Sequence, residues 1–521
     1  MRKDTIEKIE RFIDIWPESD NLRDAHKKAN TGINDTRAMQ RFRVKAEKYG
    51  GVELPSHNSS LSTRKSKKCP SNLDLSKARK FKKYVITSCT NDTEIESGFL
   101  KSLKLFCDHH EAQLIIIPIR YKNPSAMNKA DDYSWDSSIF DYVLNDKIYV
   151  GSNLIINGEF SIAATAIKPL SSMEEISYGR NAVYGHPRVH MMPIPTHTYE
   201  MTRFMHTTGS LCKKNYSNTK QGGKAEFHHS VGALFVNVFG DFHYPMQLNY
   251  NGDGFHYMNE YWSEKGMTNA GRALGLVSGD IHADWECKKN TNKTNQLMDC
   301  LDVETHVLND LHNHTIGSHH NTPRVRYQLA MEGKIYVEDE MQLSVDYVRN
   351  TAREKNIIVG SNHHDHADKW LANYKEKEDP HNAQFASWLK ANMYGSDMNA
   401  LETFFYYSDT DDFHYEFISR KHPYMIGDSD VSQHGDKGVN GARGSTAAYA
   451  KLCRKIIHDH THTPMIIDGA YCAGFSFDIT QAGYLDGYST WAQADIIIYA
   501  DGKRSTFFYG PNCNPPQLKG K

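Results

Sequence analysis

RALGLVSGDIHADWE, residues 272–286, carries an apolar run from Ala273 to Val277 directly into Gly279, Asp280, Ile281 and His282. The pattern predicts a strand that delivers Asp280 and His282 at its carboxyl end, where one oxygen and one imidazole nitrogen can turn toward a single cation. The motif recurs. HVLNDLHNHTIGSHHN (306–321) leads through Val307 and Leu308 to Asn309 and Asp310, a carboxylate with two oxygens that can serve two cations. KNIIVGSNHHDHADKWL (355–371) stops a strand-like IIVG at Ser361 and presents Asn362, His363, His364 and Asp365 before a predicted helix.

Two further segments complete the set. HPYMIGDSDVSQHGDKGVNGARGS (422–445) places His434 between an apolar strand and a glycine-rich turn that contains Arg443. RKIIHDHTHTPMII (454–467) sets His460 and His462 on either side of Thr461. In an extended segment alternate residues share a face, so both histidines are expected to point one way and Thr461 the other.

The rest of the chain frames these motifs. At 521 residues it exceeds one ordinary core, and 39% hydrophobic with 24% charged residues is a globular composition. The charged start, MRKDTIEKIERFIDIW, and the lack of any long apolar run argue against a leader or a membrane span. Nine cysteines without a CxxC pair suit a reducing cytoplasm. A net charge of −2 excludes an indiscriminate polycation, so nucleic-acid contact must come from local patches. The 28 histidines, crowded into runs such as HNHTIGSHHN and HHDHAD, point first to metal binding.

The expected organisation is α/β overall. Residues 1–50 read as a small helical domain capped at Asp35. It is either a helix-turn-helix with Arg37, Arg41, Arg43 and Lys45 facing phosphates or a solvated helical surface. Residues 51–83, with STRKSKK and KARKFKK, read as a basic linker. Residues 84–270 form an α/β domain of unassigned role: YVITSC, ESGFLKSLKLFCDHHE and QLIIIPIRY make a strand-helix-strand unit, and apolar stretches such as KIYVG, FSIAATAI and RVHMMPI follow. His228 and His229 are taken as ordinary residues. Residues 271–510 hold the metal motifs and 511–521 form a tail. ADIIIYADGKRSTFF (494–508) predicts a hairpin turning at Asp501 and Gly502.

Taken in order, D-x-H, N-D, S-N-H-H, H-G and D-H-T-H resemble the calcineurin-like metallophosphoesterases, whose signature is D-x-H, G-D-x-x-D, G-N-H-D/E, a lone H and G-H-x-H. Asn309, Ser361 and Asp459 replace glycines, Asn313 stands where a second aspartate is usual, and His364 where an acid is common. The resemblance implies a C-terminal two-sheet sandwich flanked by helices. It implies one metal on Asp280, His282, Asp310 and His462 and a second on Asp310, Asn362, His434 and His460. His363 is then similar to the histidine that contacts phosphate and protonates the leaving oxygen, with His364 as the fallback.

Two such cations about 4 Å apart acidify a bridging water and neutralise phosphate charge, and the ligand set suits Mn²⁺ ahead of Zn²⁺, Fe or Ni²⁺. The arginine that protein phosphatases carry after the second motif is absent from DLHNHT. The basic linker and Arg443, read as a substrate-binding cation, favour a polyanion, so the leading expectation is a two-metal DNase whose bridging hydroxide cleaves the phosphodiester. The long amino-terminal extension also resembles early DNA-degrading nucleases of large phages, which would place it in the host cytoplasm. A phosphoesterase for nucleotides or other small esters is the alternative, and a nonenzymatic nucleic-acid-binding protein with a structural metal cluster is the third reading. Self-association into a homo-oligomer suits a processive nuclease, although no heptad run demands it.

Overall fold

The computed structural model describes residues 3–19, 22–50, 54, 68–121, 134–198, 200–483 and 485–510. It divides into two units, Met1–Lys68 with Lys129–Asp132, and Cys69–Asn128 with Tyr133–Lys521.

In the first unit, the helices Lys3–Ile15, Leu22–Lys28 and Thr36–Gly50 enclose Ile9, Phe12, Trp16, Ala25 and Ala46. Asp35 caps the third helix by accepting from Ala38 N at 2.8 Å, as its sequence predicts. Of the expected phosphate-facing cations, Arg37, Arg41 and Lys45 are exposed. Arg43 is committed internally: it lies 4.9 Å from the Trp16 ring centre and pairs with Glu47 at 3.2 Å. The STRKSKK run, apart from Lys68, lies outside the described residues, as does the tail 511–521. KARKFKK belongs to the second unit, where a short helix, Leu75–Ala78, is capped by Asp74.

The second unit is a mixed α/β body. Its first layer confirms the strand-helix-strand reading: Lys83–Thr90 runs parallel to Gln113–Ile119 across the helix Ser97–His110, and the hairpin of Gly232–Phe239 and Phe242–Asn249 extends the sheet to four strands. FSIAATAI, by contrast, forms no strand and turns at Ala163, whose carbonyl accepts from Ala166 N at 2.8 Å.

A six-stranded sheet runs in the order Glu416–Ile418, Lys355–Val359, Thr305–Leu308, Gly275–Ser278, Ala494–Ile498, Arg504–Phe508. Its first four strands are parallel, and the last two form the hairpin read from the sequence. Against it lies a ten-stranded sheet, and Val277, Val307, Ile357 and Ile496 from the first meet Met191, Phe204, Ile457 and Ile466 from the second in one apolar core. Burial of such side chains contributes roughly 1.5–3 kcal/mol each. On its other face the six-stranded sheet is covered by helices that include Val337–Asn350 and Ala400–Tyr407, through Leu308, Met341, Val345, Ile358 and Phe405.

The ten-stranded sheet crosses the boundary expected at residue 270. Lys455–His458, Ala470–Cys472 and Met465–Ile467 continue directly into His190–Ile194, because Ile466 pairs with Met191 and Ile467 with His190. Arg188 seals the same seam, donating to Asp468 at 3.1 and 3.3 Å with only 2% of its side chain exposed. Residues on the two sides of position 270 thus share a sheet and a core. Among the described residues no helix is long and apolar enough to cross a membrane, and no two cysteines are joined in a disulfide.

Candidate metal centre

Three parallel strands of the six-stranded sheet and two segments that follow strands of the ten-stranded sheet end at one place. The loop after Gly275–Ser278 bonds to the loop after Thr305–Leu308 in register, Ile281 N to Asn309 O at 3.1 Å and His282 N to Asp310 O at 2.9 Å. After Lys355–Val359, Ser361 caps the helix Asn362–Ala372 by accepting from His364 N at 3.2 Å, which leaves Asn362 and His363 in the first turn facing that place. From the ten-stranded sheet come His434 and the His460 to His462 segment.

The side chains converge. His434 Nε2 lies 3.1 Å from Asn362 Oδ1, 3.2 Å from His460 Nδ1 and 3.6 Å from Asp310 Oδ2. His282 Nε2 is 3.1 Å from Asp310 Oδ2, and His462 Nε2 is 2.8 Å from Asp280 Oδ2. Neighbouring ligands about 2.1 Å from one ion and about 90–110° apart are separated by about 3.0–3.4 Å, which is the spacing seen across most of this cluster. Overlapping trios, Asp280 with His282 and His462, His282 with Asp310 and His363, and Asp280 with Asp310 and His434, each keep their ligand atoms within 4.8 Å of one another.

Electrostatics agrees with a cationic occupant. Asp280, Asp310 and Asp459 are each at most 1% exposed, and among the described residues none pairs with a lysine or arginine. Burial and the neighbouring Asp310 push the Asp280 carboxyl up to about 7. Burial and Asp280 hold Asp459 well above the carboxylate range. Burial would raise Asp310 too, but its neighbours, His363 foremost, outweigh it and hold it well below. Burial lowers His282, His434, His460 and His462, the last to about 3, so these rings are neutral and keep a lone pair for a metal. Carboxylates crowded together without a lysine or arginine partner, beside imidazoles whose burial keeps them neutral, fit divalent metal.

The backbone is bent to bring this about. His282, Asp310, His460 and His462 sit at φ of 47°, 43°, 76° and 55°, a left-handed region that costs a non-glycine residue roughly 1–3 kcal/mol and clusters at functional sites. This corrects the extended reading of the D-H-T-H segment. Thr461 does turn away, its hydroxyl 3.3 Å from Cys472 Sγ, but the two histidines converge through successive left-handed bends instead of strand alternation.

The doubled histidine separates clearly. His363 Nδ1 lies 2.8 Å from Asp310 Oδ2 at the rim, with 22% of its side chain exposed. Burial alone would lower this ring, yet Asp310 and Asp280 hold it above its ordinary value. His364 points inward, its Nε2 accepting from His312 N at 3.5 Å, and burial lowers it to about 4. Arg443 is exposed outside the cluster, and its charge lowers His460 and His462 further after burial.

Several participants escaped the sequence reading. Asp459, taken only as a replaced glycine, packs beside Asp280. Asp495 accepts from Gly279 N at 3.0 Å and so fixes the residue before Asp280. Arg420 ties the His363 helix to the His434 loop, holding Asp365 through two 2.8 Å bonds and also pairing with Asp436. Beneath the cluster, His312, His314 and Glu340 form a second buried group. The H-x-H at 312–314 was a visible signal, whereas Glu340 and Asp495 lie in unremarkable helix and strand.

The sequence is 30% identical, over 453 residues covering 81% of each chain, to Protein A1 of Escherichia phage T5. The chain belongs to the Protein A1 family. No family model matches the sequence and no solved structure matches it.

Proposed function

We propose that this A1-family chain is a phosphodiesterase of the metallophosphoesterase kind that hydrolyses DNA with two divalent cations, Mn²⁺ first among them. The observation that carries the reading is the convergence, from five separate segments, of Asp280, His282, Asp310, Asn362, His434, His460 and His462 at ligand spacing. The packing of two sheets behind the cluster supports the same fold kind.

Asp280, His282, Asp310 and His462 would hold one cation, and Asp310, Asn362, His434 and His460 the other. Bound there, the cations supply charge neutralisation at phosphate oxygens and acidification of water. The chain's own groups do the rest. His363, partly exposed at the rim with Nδ1 2.8 Å from Asp310 Oδ2, would hold a proton on Nε2 for the departing oxygen. Asp310 orients that ring. Arg443 offers a cation to the polyanion at the rim. Kinship with a phage protein supports DNA over a small ester.

The test is incubation of the full chain with DNA, cyclic nucleotides and a chromogenic phosphodiester, each with Mn²⁺ or with chelator. DNA cleavage that needs Mn²⁺ and vanishes in Asp310→Ala and His363→Ala supports the proposal. Turnover of small esters alone moves the substrate to that class. Intact substrates alongside retained metal binding would overturn the enzyme reading.

A further inference from the structure

The helix Asn362–Ala372 starts in the metal cluster and leads out of it. Residues three and seven beyond His363 share its face, and these are His366 and Trp370. The ring centres of His363 and His366 are 5.3 Å apart, His366 lies 5.0 Å from His319, and Trp370 lies 5.4 Å from Tyr374. Flat side chains therefore recur on one face of the helix from the candidate acid to its end. At about 1.5 Å rise per residue, Trp370 is about 10 Å along the axis from His363, which spans about three nucleotides at a stacked spacing of about 3.4 Å.

At that distance a cavity of about 630 Å³ opens, lined by His319, Arg326, Lys334, Lys369, Trp370 and Tyr374. Its charge balance is positive. The lining carboxylates are engaged, Glu378 by Lys375 at 2.9 Å and Asp379 by Asn382 at 2.9 and 3.1 Å. Lys334 pairs with Glu332 at 3.0 Å. Arg326 and Lys369 are exposed and form no ion pair among the described residues. Arg326 stands on the helix Pro323–Met331, which buries none of its residues and so forms an open wall.

Cations without partners interleaved with aromatic rings are the chemistry that holds single-stranded nucleic acid, since every base has a face to stack and every nucleotide a charge to neutralise. A duplex offers neither Trp370 nor Tyr374 a free base face. We propose that the substrate strand is taken unpaired, its nucleotides beyond the cleaved bond lying along this helix face, with bases on Trp370 and Tyr374 and phosphates at Lys369 and Arg326. The inference rests on the phosphodiesterase reading and names the form of DNA that site accepts.

The experiment measures binding without turnover: fluorescence anisotropy of a labelled DNA oligonucleotide, single-stranded or annealed to its complement, with the full chain in chelator over a salt series. Single strand is expected to bind at least 10-fold tighter than duplex. Arg326→Gln with Lys369→Gln should reduce the slope of log affinity against log salt by about 1.4, from about 0.7 for each phosphate contact removed. Lys289→Gln, an exposed cation on another helix, serves as the charge control, and its slope should not change. Trp370→Leu should weaken single-strand binding about 10-fold and Trp370→Phe should restore it, with unfolding measured for both. Equal affinity for both DNA forms, or single-strand binding indifferent to these changes in folded variants, overturns the groove. Because binding is read in chelator, failure of Mn²⁺-dependent hydrolysis sinks the enzymatic reading separately.

Discussion

Replacing Gly279 by alanine tests whether the metal cluster depends on the fit of two backbones. A Cβ at Gly279 would lie 2.6 Å from Gly474 C and O and 2.7 Å from Phe475 N, all of them main-chain atoms that no rotamer change can move aside. Restoring ordinary contact near 3.4 Å requires an opening of about 0.8 Å between the strand that carries Asp280 and the segment 474–476. That seam is held by Asp280 N to Gly474 O at 3.2 Å and Ser476 N to Asp280 O at 2.8 Å, both inside the protein. Overpacking costs about 1–3 kcal/mol and a buried backbone group left without a partner about 1–3 kcal/mol more. A loss of about 2–6 kcal/mol in unfolding free energy is expected. The displacement also exceeds the ~0.5 Å tolerance of a preorganised site, so Mn²⁺ affinity should fall about 10–100-fold, as when a ligand's support is removed. Urea unfolding and Mn²⁺ titration by calorimetry read the two effects. Gly223→Ala is the control: nothing lies within 4 Å of its Cβ in the helix Lys220–Phe227, and about 0.5–1 kcal/mol of stabilisation is expected. If Gly279→Ala binds Mn²⁺ within twofold of the parent and unfolds within about 0.5 kcal/mol of it, the fit between these backbones does not govern the site.

Chelation offers a second check: Mn²⁺ at 100 times its dissociation constant should stabilise the folded chain by about 2.7 kcal/mol, and Asp310→Ala should abolish that gain in thermal unfolding. Arg420→Gln takes the shared cation from Asp436 and from the partly exposed Asp365, which keeps Lys437 at 3.1 Å, and a loss of about 1.5–3 kcal/mol is expected; a change below about 0.5 kcal/mol would show that the His363 helix and the His434 loop are held by other contacts. Acid should destabilise the protein early, because burial lowers His186, His206 and His306 from 6.5 to about 3 each. Between those values the unfolded chain binds protons that the folded chain refuses, so stability is full above pH 6.5 and falls toward pH 3. The slope is about 1.4 kcal/mol per pH unit for each histidine, and a flat denaturation midpoint from pH 6.5 to 5 would contradict the burial of these rings.

What the sequence by itself determined is local. An apolar run followed at once by Asp280 and His282, by Asp310, or by Asn362 and His363 is a strand ending in polar groups, and both halves of that signal lie within a few residues. The Asp35 cap, the strand-helix-strand unit at 83–119 and the hairpin at Asp501 and Gly502 were legible for the same reason. Tertiary structure decided what distance along the chain conceals. Pairing of Ile466 with Met191 merges residues on both sides of position 270 into one sheet, and strand pairing carries no address in composition. The left-handed turns at Asp310, His460 and His462 exist because the surrounding contacts over-determine them, against their local preference. Asp495, Glu340 and Arg420 became part of the site only when the fold brought their partners to them, and Asp459 only when it was buried beside Asp280.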